Sequence, residues 1–143
     1  MSDTEYAPSS RTWVREQVET IEATGTTASV DIMGLPVVLL TMRGAKSGKI
    51  RKVPLMRVEH EGRYAVVGSQ GGAPTNPQWV SNVRANPHLT LQDGTTVTDR
   101  VAREVSGEER ATWWERCVAA YPPYAEYQTK TDRLIPIFVL EPA

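Results

Sequence analysis

The densest chemistry in the chain lies in TMRGAKSGKIRKVPL, residues 41–55, where Arg43, Lys46, Lys49, Arg51 and Lys52 put five cations into ten residues. Gly44 and the Gly48-Lys49 pair approach a phosphate-binding P-loop, but the spacing fails. That motif needs four residues between its first glycine and Gly-Lys-Ser/Thr. Here Gly44 is followed by three residues before Gly48, and Lys49 is followed by Ile50, which has no hydroxyl for magnesium. A P-loop also opens a helix, and Pro54 opposes one by removing a hydrogen bond and crowding the preceding turn. The pattern predicts a strand, a Gly-rich loop and a second strand. Lys46 and Arg51 then read as an anion clamp, with Ser47 and the backbone around Gly48 as further donors. Glycine lets the backbone approach an oxyanion closely, and the arginine fork holds phosphate or carboxylate with two bonds. A solvated hairpin tip accounts for the same residues equally well.

A second constellation is VVGSQGGAPTNPQWVSN, residues 66–82. Ser69 and the amides around Gly68, Gly71 and Gly72 are donors, and a helix start at Pro77 directs a favourable dipole at negative charge. Trp79 suits a flat ring, although Trp79 and Val83 also suit a core. The third is YPPYAEYQTKTDR, which spaces Tyr121, Tyr124 and Tyr127 three residues apart. Phenols have apolar bodies and polar tips, as a pocket rim requires; a segment capping a barrel end is the other reading. Val67 breaks the Gly-x-Ser-x-Gly nucleophile elbow around Ser69. His60 and His88 lack a second ligand at metal spacing, so no metal is expected. Cys117 falls within a helix beside Trp113 and Trp114 and reads as a structural thiol. With no nucleophile, acid–base pair or metal, the residues suit a protein whose cofactor carries the chemistry.

These groups must be positioned by one domain, expected over 10–143, after a disordered segment 1–9. The 143 residues carry a net charge of −1 with 40% apolar and 23% charged side chains, which argues against a general nucleic-acid surface. The basic loop is therefore a local concentration on a near-neutral body. A single cysteine excludes an internal disulfide and points to a reducing compartment, the cytoplasm. The longest apolar run, residues 35–42, is too short to span a bilayer. The acidic, polar N-terminus is no signal peptide.

Ser10 is expected to cap a helix over 11–23, with Trp13, Val14, Gln17, Val18 and Ile21 as its stripe and Gly25 as its end. Residues 36–42 read as a buried strand; 53–59 and 63–69 read as two more, joined by the turn His60-Glu61-Gly62. Asn76 and Pro77 start a short helix that stops at 85–87. Residues 88–92 and 95–105 form a hairpin around Asp93-Gly94. Ser106 and Glu109 make a capping box for a helix reaching about Ala120. After Tyr121-Pro122-Pro123, residues 124–131 are a short helix or turn, and 135–142 a last strand. About six antiparallel strands with three or four flanking helices make an α+β, mainly β, barrel.

Taken in order, TMRGAKSGKIRKVPL, VVGSQGGAPTNPQWVSNVRANPHLTLQ and YAEYQTKTDRLIPIFVLEP resemble the deazaflavin-dependent nitroreductase family, the coenzyme F420-dependent reductases related to FMN-binding split β-barrels. The likeness runs from about residue 30 to the C-terminus. It implies a split β-barrel that transfers hydride from reduced F420 to an electron-poor small molecule: a quinone, an α,β-unsaturated lactone or ester, or a nitroaromatic. F420 has a flat deazaflavin ring, a ribityl-type chain, one phosphate and a glutamate tail. The resemblance implies Lys46 and Arg51 as the main clamp, with Ala45, Ser47, Gly48, Lys49 and Ile50 giving backbone contacts. Leu39, Leu40 and Thr41 belong to the same cofactor wall, and Pro54 and Leu55 pack on the ring side. The ring lies along Val66, Val67, Gly68, Ser69 and Gln70, and along Gln78, Trp79, Val80, Ser81 and Asn82. Ser69, Tyr124 and Tyr127 are the implied catalytic residues, with Tyr124 also touching cofactor. Gln70 stands where some relatives carry lysine, and Met56 where some carry tyrosine, both on the substrate side. A homodimer is also implied. Two other readings stay open: an FMN-binding barrel, against which the surplus cations speak, and a non-enzymatic F420 carrier, which needs no tyrosine rim.

Overall fold

Alternation along the central strands explains how one sheet serves two cores. The computed structural model describes Tyr6 and residues 8–143. In β1 (Val37–Arg43), Val38, Leu40 and Met42 join one buried cluster while Leu39 turns to the other face. In β7 (Ile137–Pro142), Phe138 and Leu140 point inward with them, and Ile137 and Val139 point outward. Successive side chains on a strand take opposite faces, so a strand buried on both faces reads as a continuous apolar run. The remaining strands are β2 (Ile50–Met56), β3 (Glu59–His60), β4 (Arg63–Val67), β5 (His88–Asp93) and β6 (Thr96–Glu104). They form one sheet in the order β2-β1-β5-β6-β7-β4-β3, antiparallel throughout.

The single strand expected over 53–59 is broken. β2 and β3 lie at opposite edges of the sheet, and the chain crosses between them through Arg57 and Val58. The Arg57 N–H donates to the Pro36 carbonyl at 3.1 Å, and Val58 accepts from the Ala65 N–H at 2.9 Å. The sheet therefore curls until its edges meet, a split barrel of seven strands rather than about six. Pro54 sits on the edge strand β2 opposite Leu39, where a missing N–H interrupts no inner ladder.

α1 (Thr12–Thr24) packs Val14, Val18 and Ile21 on Leu39. Its stripe is narrower than expected: Trp13 stays 48% exposed. Ser10 does not cap it; Arg11 holds that position and no side chain caps. Gly25 ends the helix as expected, donating to the Ile21 carbonyl at 2.7 Å. α2 (Gln78–Ala85) starts one residue late, with Pro77 at the cap position. Asn76 turns away to accept from Arg133 Nη1 at 2.7 Å. α2 fills the barrel with Trp79, Val80 and Val83. α3 (Gly107–Ala120) covers the outer face with Trp113 and Cys117. Its expected capping box is not made, because Glu109 takes two bonds from Arg103, at 2.7 and 2.8 Å. Charge-assisted, bidentate pairs outcompete a neutral cap. The β5–β6 loop is Gly94-Thr95, one residue on from expectation, with Asp93 paired to Thr96 in the ladder. α4 (Pro123–Thr129) follows the proline break. The disorder expected for 1–9 falls largely outside the described residues; Tyr6 forms a parallel bridge with Ile50, and the Pro8 carbonyl accepts from Arg51 Nη1 at 3.4 Å.

Candidate functional site

The seam of the split barrel opens a cavity of about 1200 Å³. β2 runs along it, and every residue from Arg51 to Met56 lines it. A strand rises about 3.3 Å per residue, so that wall is roughly 17 Å long. Its two ends differ. Arg51 and Lys52 mark one; at the other, Met56 shares a buried cluster with Val67 and Tyr124. Between them, Leu55 packs with Met42 and Trp79, giving an apolar stretch. Pro8 to Arg11, Trp13 and Val14 form a strap along the rim.

The five cations of the opening motif divide. Ala45, Lys46, Ser47, Gly48 and Lys49 form the exposed tip of the β1–β2 hairpin and lie beyond the lining. This is a hairpin loop and not a helix start, as Pro54 requires. The Ala45 N–H donates to Asn82 Oδ1 at 2.9 Å, the Gly48 N–H to Gly44 at 3.0 Å and the Lys49 N–H to Ser47 Oγ at 3.1 Å. The N–H groups of Lys46 and Ser47 make no hydrogen bond among the described residues. Ile50 is half-buried at the start of β2. Arg51 and Lys52 enter the cavity; Lys52 also pairs with Glu22 and stands 5.2 Å over the Tyr6 ring.

Among the other expected contacts, Pro54, Leu55, Val67, Ser69, Gln70, Gln78, Trp79, Asn82, Tyr124 and Tyr127 come together around the cavity. Leu40, Val66 and Val80 are sealed in the barrel core, Leu39 lies under α1, and Thr41 is half-buried on β1. Gly68 and Ser81 also fall outside the lining. Asn82, 5% exposed, binds the hairpin tip to α2.

Three phenols close the far end. Tyr121 and Tyr124 meet edge to face at 4.9 Å and 75°, and Tyr124 and Tyr127 at 6.3 Å and 73°. The Tyr121 and Tyr127 hydroxyls are 2.9 Å apart, and Tyr121 also donates to Met33 Sδ at 3.2 Å. Tyr124 is 4% exposed, and burial drives its hydroxyl far above the usual phenol range. Burial, then the hydrogen bond to Tyr127, pushes Tyr121 up to about 12. At neutral pH both therefore stay protonated and can donate hydrogen bonds. Ser69, 9% exposed, lines the same cavity, and Gln70 follows with a φ of 46°, which a non-glycine residue rarely holds. Such strain persists where surroundings enforce it, and it gathers at functional sites.

Sequence reasoning missed three participants: Arg133, which holds the Ser69–Gln70 loop; Met33, at a two-residue turn over the tyrosines; and the strap. A lone arginine between helix and strand carries no periodic signal, and Met33-Gly34 is too short a turn to stand out. Among the described residues, no three or more His, Cys, Asp and Glu side chains gather where they could hold a metal ion. No described helix is long and apolar enough to cross a membrane.

The sequence profile of the F420H(2)-dependent quinone reductase family matches residues 13–142. A solved structure of an F420-H2 dependent reductase, FDR-A, is 61% identical; the match covers 78% of this chain and 99% of that one, with a TM-score of 0.71. A structure described as a domain-swapped dimer is also 61% identical, covering 90% of this chain and 97% of that one, with a TM-score of 0.74. Rv3178 of Mycobacterium tuberculosis (strain ATCC 25618 / H37Rv), named for F420H(2)-dependent quinone reduction, is 37% identical over 108 residues, 76% of this chain and 91% of that protein. A profile match across nearly the whole chain, on a barrel whose seam joins cations to an apolar slot, leaves one assignment: the chain belongs to the F420H(2)-dependent quinone reductase family, an oxidoreductase whose cofactor is reduced coenzyme F420.

Proposed function

We propose that the seam cavity binds reduced F420 along β2 and presents it to an electron-poor acceptor, a quinone first, beneath the tyrosines. One observation carries this reading: a single cavity has Arg51 and Lys52 at one end and Ser69, Gln70 and Tyr124 at the other, with an apolar slot between. The cofactor has the same polarity, anionic at the phosphate and glutamates and flat and apolar at the ring. FMN lacks the glutamate tail and leaves the hairpin cations without a role.

When bound, reduced F420 supplies a hydride. The chain's residues do the rest. Arg51 and Lys52 neutralise phosphate or carboxylate at the cavity mouth. Lys46 and Lys49, with the N–H groups of Lys46 and Ser47, extend that field to the tail beyond the rim. Leu55, Met42 and Trp79 hold the flat ring and keep water from it. Most of the rate gain comes from orientation of ring and acceptor. Ser69 Oγ and the Tyr124 hydroxyl donate to the acceptor oxygen as it gains negative charge. Burial keeps the Tyr124 hydroxyl protonated, so it serves as a hydrogen-bond donor, and the proton that completes reduction comes from Tyr127 or water. Lactones, unsaturated esters and nitroaromatics fit the same electronic demand and rank behind quinones. The single cysteine supports a cytoplasmic site of action, and the domain-swapped relative supports a homodimer.

The test titrates cofactor-free protein into F420 and, separately, FMN, following cofactor fluorescence, then adds menadione to the protein with reduced F420. F420 binding that weakens about tenfold in Arg51→Ala, with turnover of menadione, is expected. Binding of FMN alone moves the chain to a flavin-dependent chemistry, and F420 binding without turnover leaves a carrier.

A further inference from the structure

Arg133 lies outside the cavity lining, yet its guanidinium gathers the loop that forms one wall. Nε donates to the Ala73 carbonyl at 2.8 Å, and Nη2 to the Ser69 carbonyl at 2.7 Å. Nη1 donates to the Gly68 carbonyl at 3.0 Å and to Asn76 Oδ1 at 2.7 Å. Four bonds from one planar group thus fix both ends of the 68–76 segment. The backbone of Arg133 is held in turn by α4. Gln128 Nε2 donates to the Arg133 carbonyl at 2.8 Å, and Gln128 Oε1 accepts from the Ile135 N–H at 3.0 Å. Gln128 follows Tyr127 directly and stands one helical turn after Tyr124. Beside the direct contact of Gly72 with α4, a path from Tyr124 and Tyr127 to Ser69 and Gln70 therefore runs through a side-chain amide and a guanidinium.

We propose that Arg133 is a positioning residue: it couples the two walls of the cavity, setting Ser69 and the strained Gln70 at a fixed distance from Tyr124 and Tyr127. The role rests on the reading of this cavity as the cofactor and acceptor site. Its acceptors are three carbonyls and an amide, with no carboxylate among them, so geometry and not ion pairing is what the residue supplies. Lysine cannot replace it. A point charge with three donors cannot reach four acceptors spread over nine residues in the plane of a fork. Near-attack geometry is sensitive to displacements of about 1 Å, and releasing this segment moves one wall relative to the other.

The experiment compares wild type with Arg133→Lys and Gln128→Ala, the second loosening the Arg133 backbone without removing the guanidinium. Amide exchange is followed first without cofactor. The Gly72 and Ala73 N–H groups, which donate to Ser69 and Gln70 at 3.0 and 3.1 Å, should exchange about tenfold faster in Arg133→Lys, while β5 and β6 keep their protection. With reduced F420 and menadione, kcat should fall about ten- to a hundredfold. The Kd for F420 should stay within about twofold, because the cations at the other end of β2 are untouched. Gln128→Ala should shift both readouts in the same direction and by less. Wild-type exchange and kcat in Arg133→Lys overturn the role; so does a loss of protection throughout the chain with kcat and affinity falling together. An inactive wild type overturns the functional reading instead, and the exchange comparison still decides whether Arg133 holds the loop.

Discussion

Gly72 is where the cavity loop touches α4, and replacing it by alanine separates two costs that usually arrive together. Its φ is +83°, and a Cβ there would lie 2.7 Å from the Tyr127 carbonyl oxygen and 2.9 Å from Lys130 Cβ. Gly71, one residue earlier, has a φ of +64° with nothing within 4 Å of an added Cβ. Gly71→Ala therefore incurs only the backbone cost, about 1 kcal/mol. Gly72→Ala incurs that cost plus overpacking against main chain, which adds about 1–3 kcal/mol, for a total of about 3 kcal/mol. An unfolding entropy of about 2.1 cal/mol/K per residue gives about 0.3 kcal/mol/K for a chain of 143 residues. The expected fall in Tm is thus about 10 °C for Gly72→Ala and about 3 °C for Gly71→Ala. Calorimetry or circular dichroism on the two cofactor-free variants reads both numbers. The clash also pushes Tyr127 from the loop, so Gly72→Ala should lose turnover while Gly71→Ala keeps its packing. Equal losses of Tm in the two variants would refute the reasoning, since the close approach would then be relieved at no cost.

Tyr124→Phe should lower kcat about ten- to a hundredfold and leave F420 affinity unchanged; an equal loss in both would remove Tyr124 from the acceptor side. Asn82→Ala frees the hairpin tip at Ala45, which is exposed and can bond water, so the cost should be about 1 kcal/mol, or about 3 °C in Tm. Burial raises Cys117 from 9.0 to about 12 and Tyr121 from 10.0 to about 12. The folded chain thus holds these protons longer than the unfolded chain. Their stabilisation is whole below about pH 9 and is lost as pH climbs toward 12, by about 1.4 kcal/mol per unit for each group. Urea titrations between pH 8 and 12 should show that slope, and Tyr121→Phe should flatten it above pH 10; an unchanged slope in the variant would contradict the burial argument. A thiol reagent at neutral pH should leave Cys117 untouched until the chain unfolds.

The strands were readable because each side of the sheet is buried by a different layer. Apolar runs such as residues 36–42 and 135–142 needed no tertiary knowledge to be recognised. The break at Arg57 and Val58 was not readable: the segment 53–59 keeps a strand's pattern throughout, and only the curl of the sheet sends its halves to opposite edges. Caps failed for a related reason. Ser106 and Glu109 have the right spacing, but Arg103 arrives from β6 and takes the carboxylate. At the site, motifs brought Ser69, Trp79 and Tyr124 to notice, yet no motif tells which of five neighbouring cations reaches the cavity. That depends on how far the hairpin tip projects past the seam. Arg133 bonds mostly to main-chain carbonyls, which every residue possesses, so its partners leave no trace in the sequence.

The seam itself follows from the way the barrel closes. β2 and β3 are halves of one continuous segment, and a segment that crosses from edge to edge cannot pair with both along its length. Hydrogen bonds at Arg57 and Val58 close the curl at one point; β2 and β4 form no ladder among the described residues, and Tyr6 bridges to the start of β2 at Ile50. Open edges invite another chain, and proline on the edge discourages that. Pro54 blunts β2 midway along the cavity wall. The same gap is closed at depth by Trp79 and Met42 in the barrel core, so the cavity has a floor and does not run through to the interior. A groove floored with apolar side chains, with Met56 and Tyr124 at the crossing and Arg51 and Lys52 at the other end, suits a ligand that is flat at one end and anionic at the other. Strengthening the barrel by extending strand pairing across the seam would stabilise the sheet and remove the groove. On the proposed reading the incomplete closure is the feature on which binding depends, and the residues that maintain it belong to the site as much as those that line it.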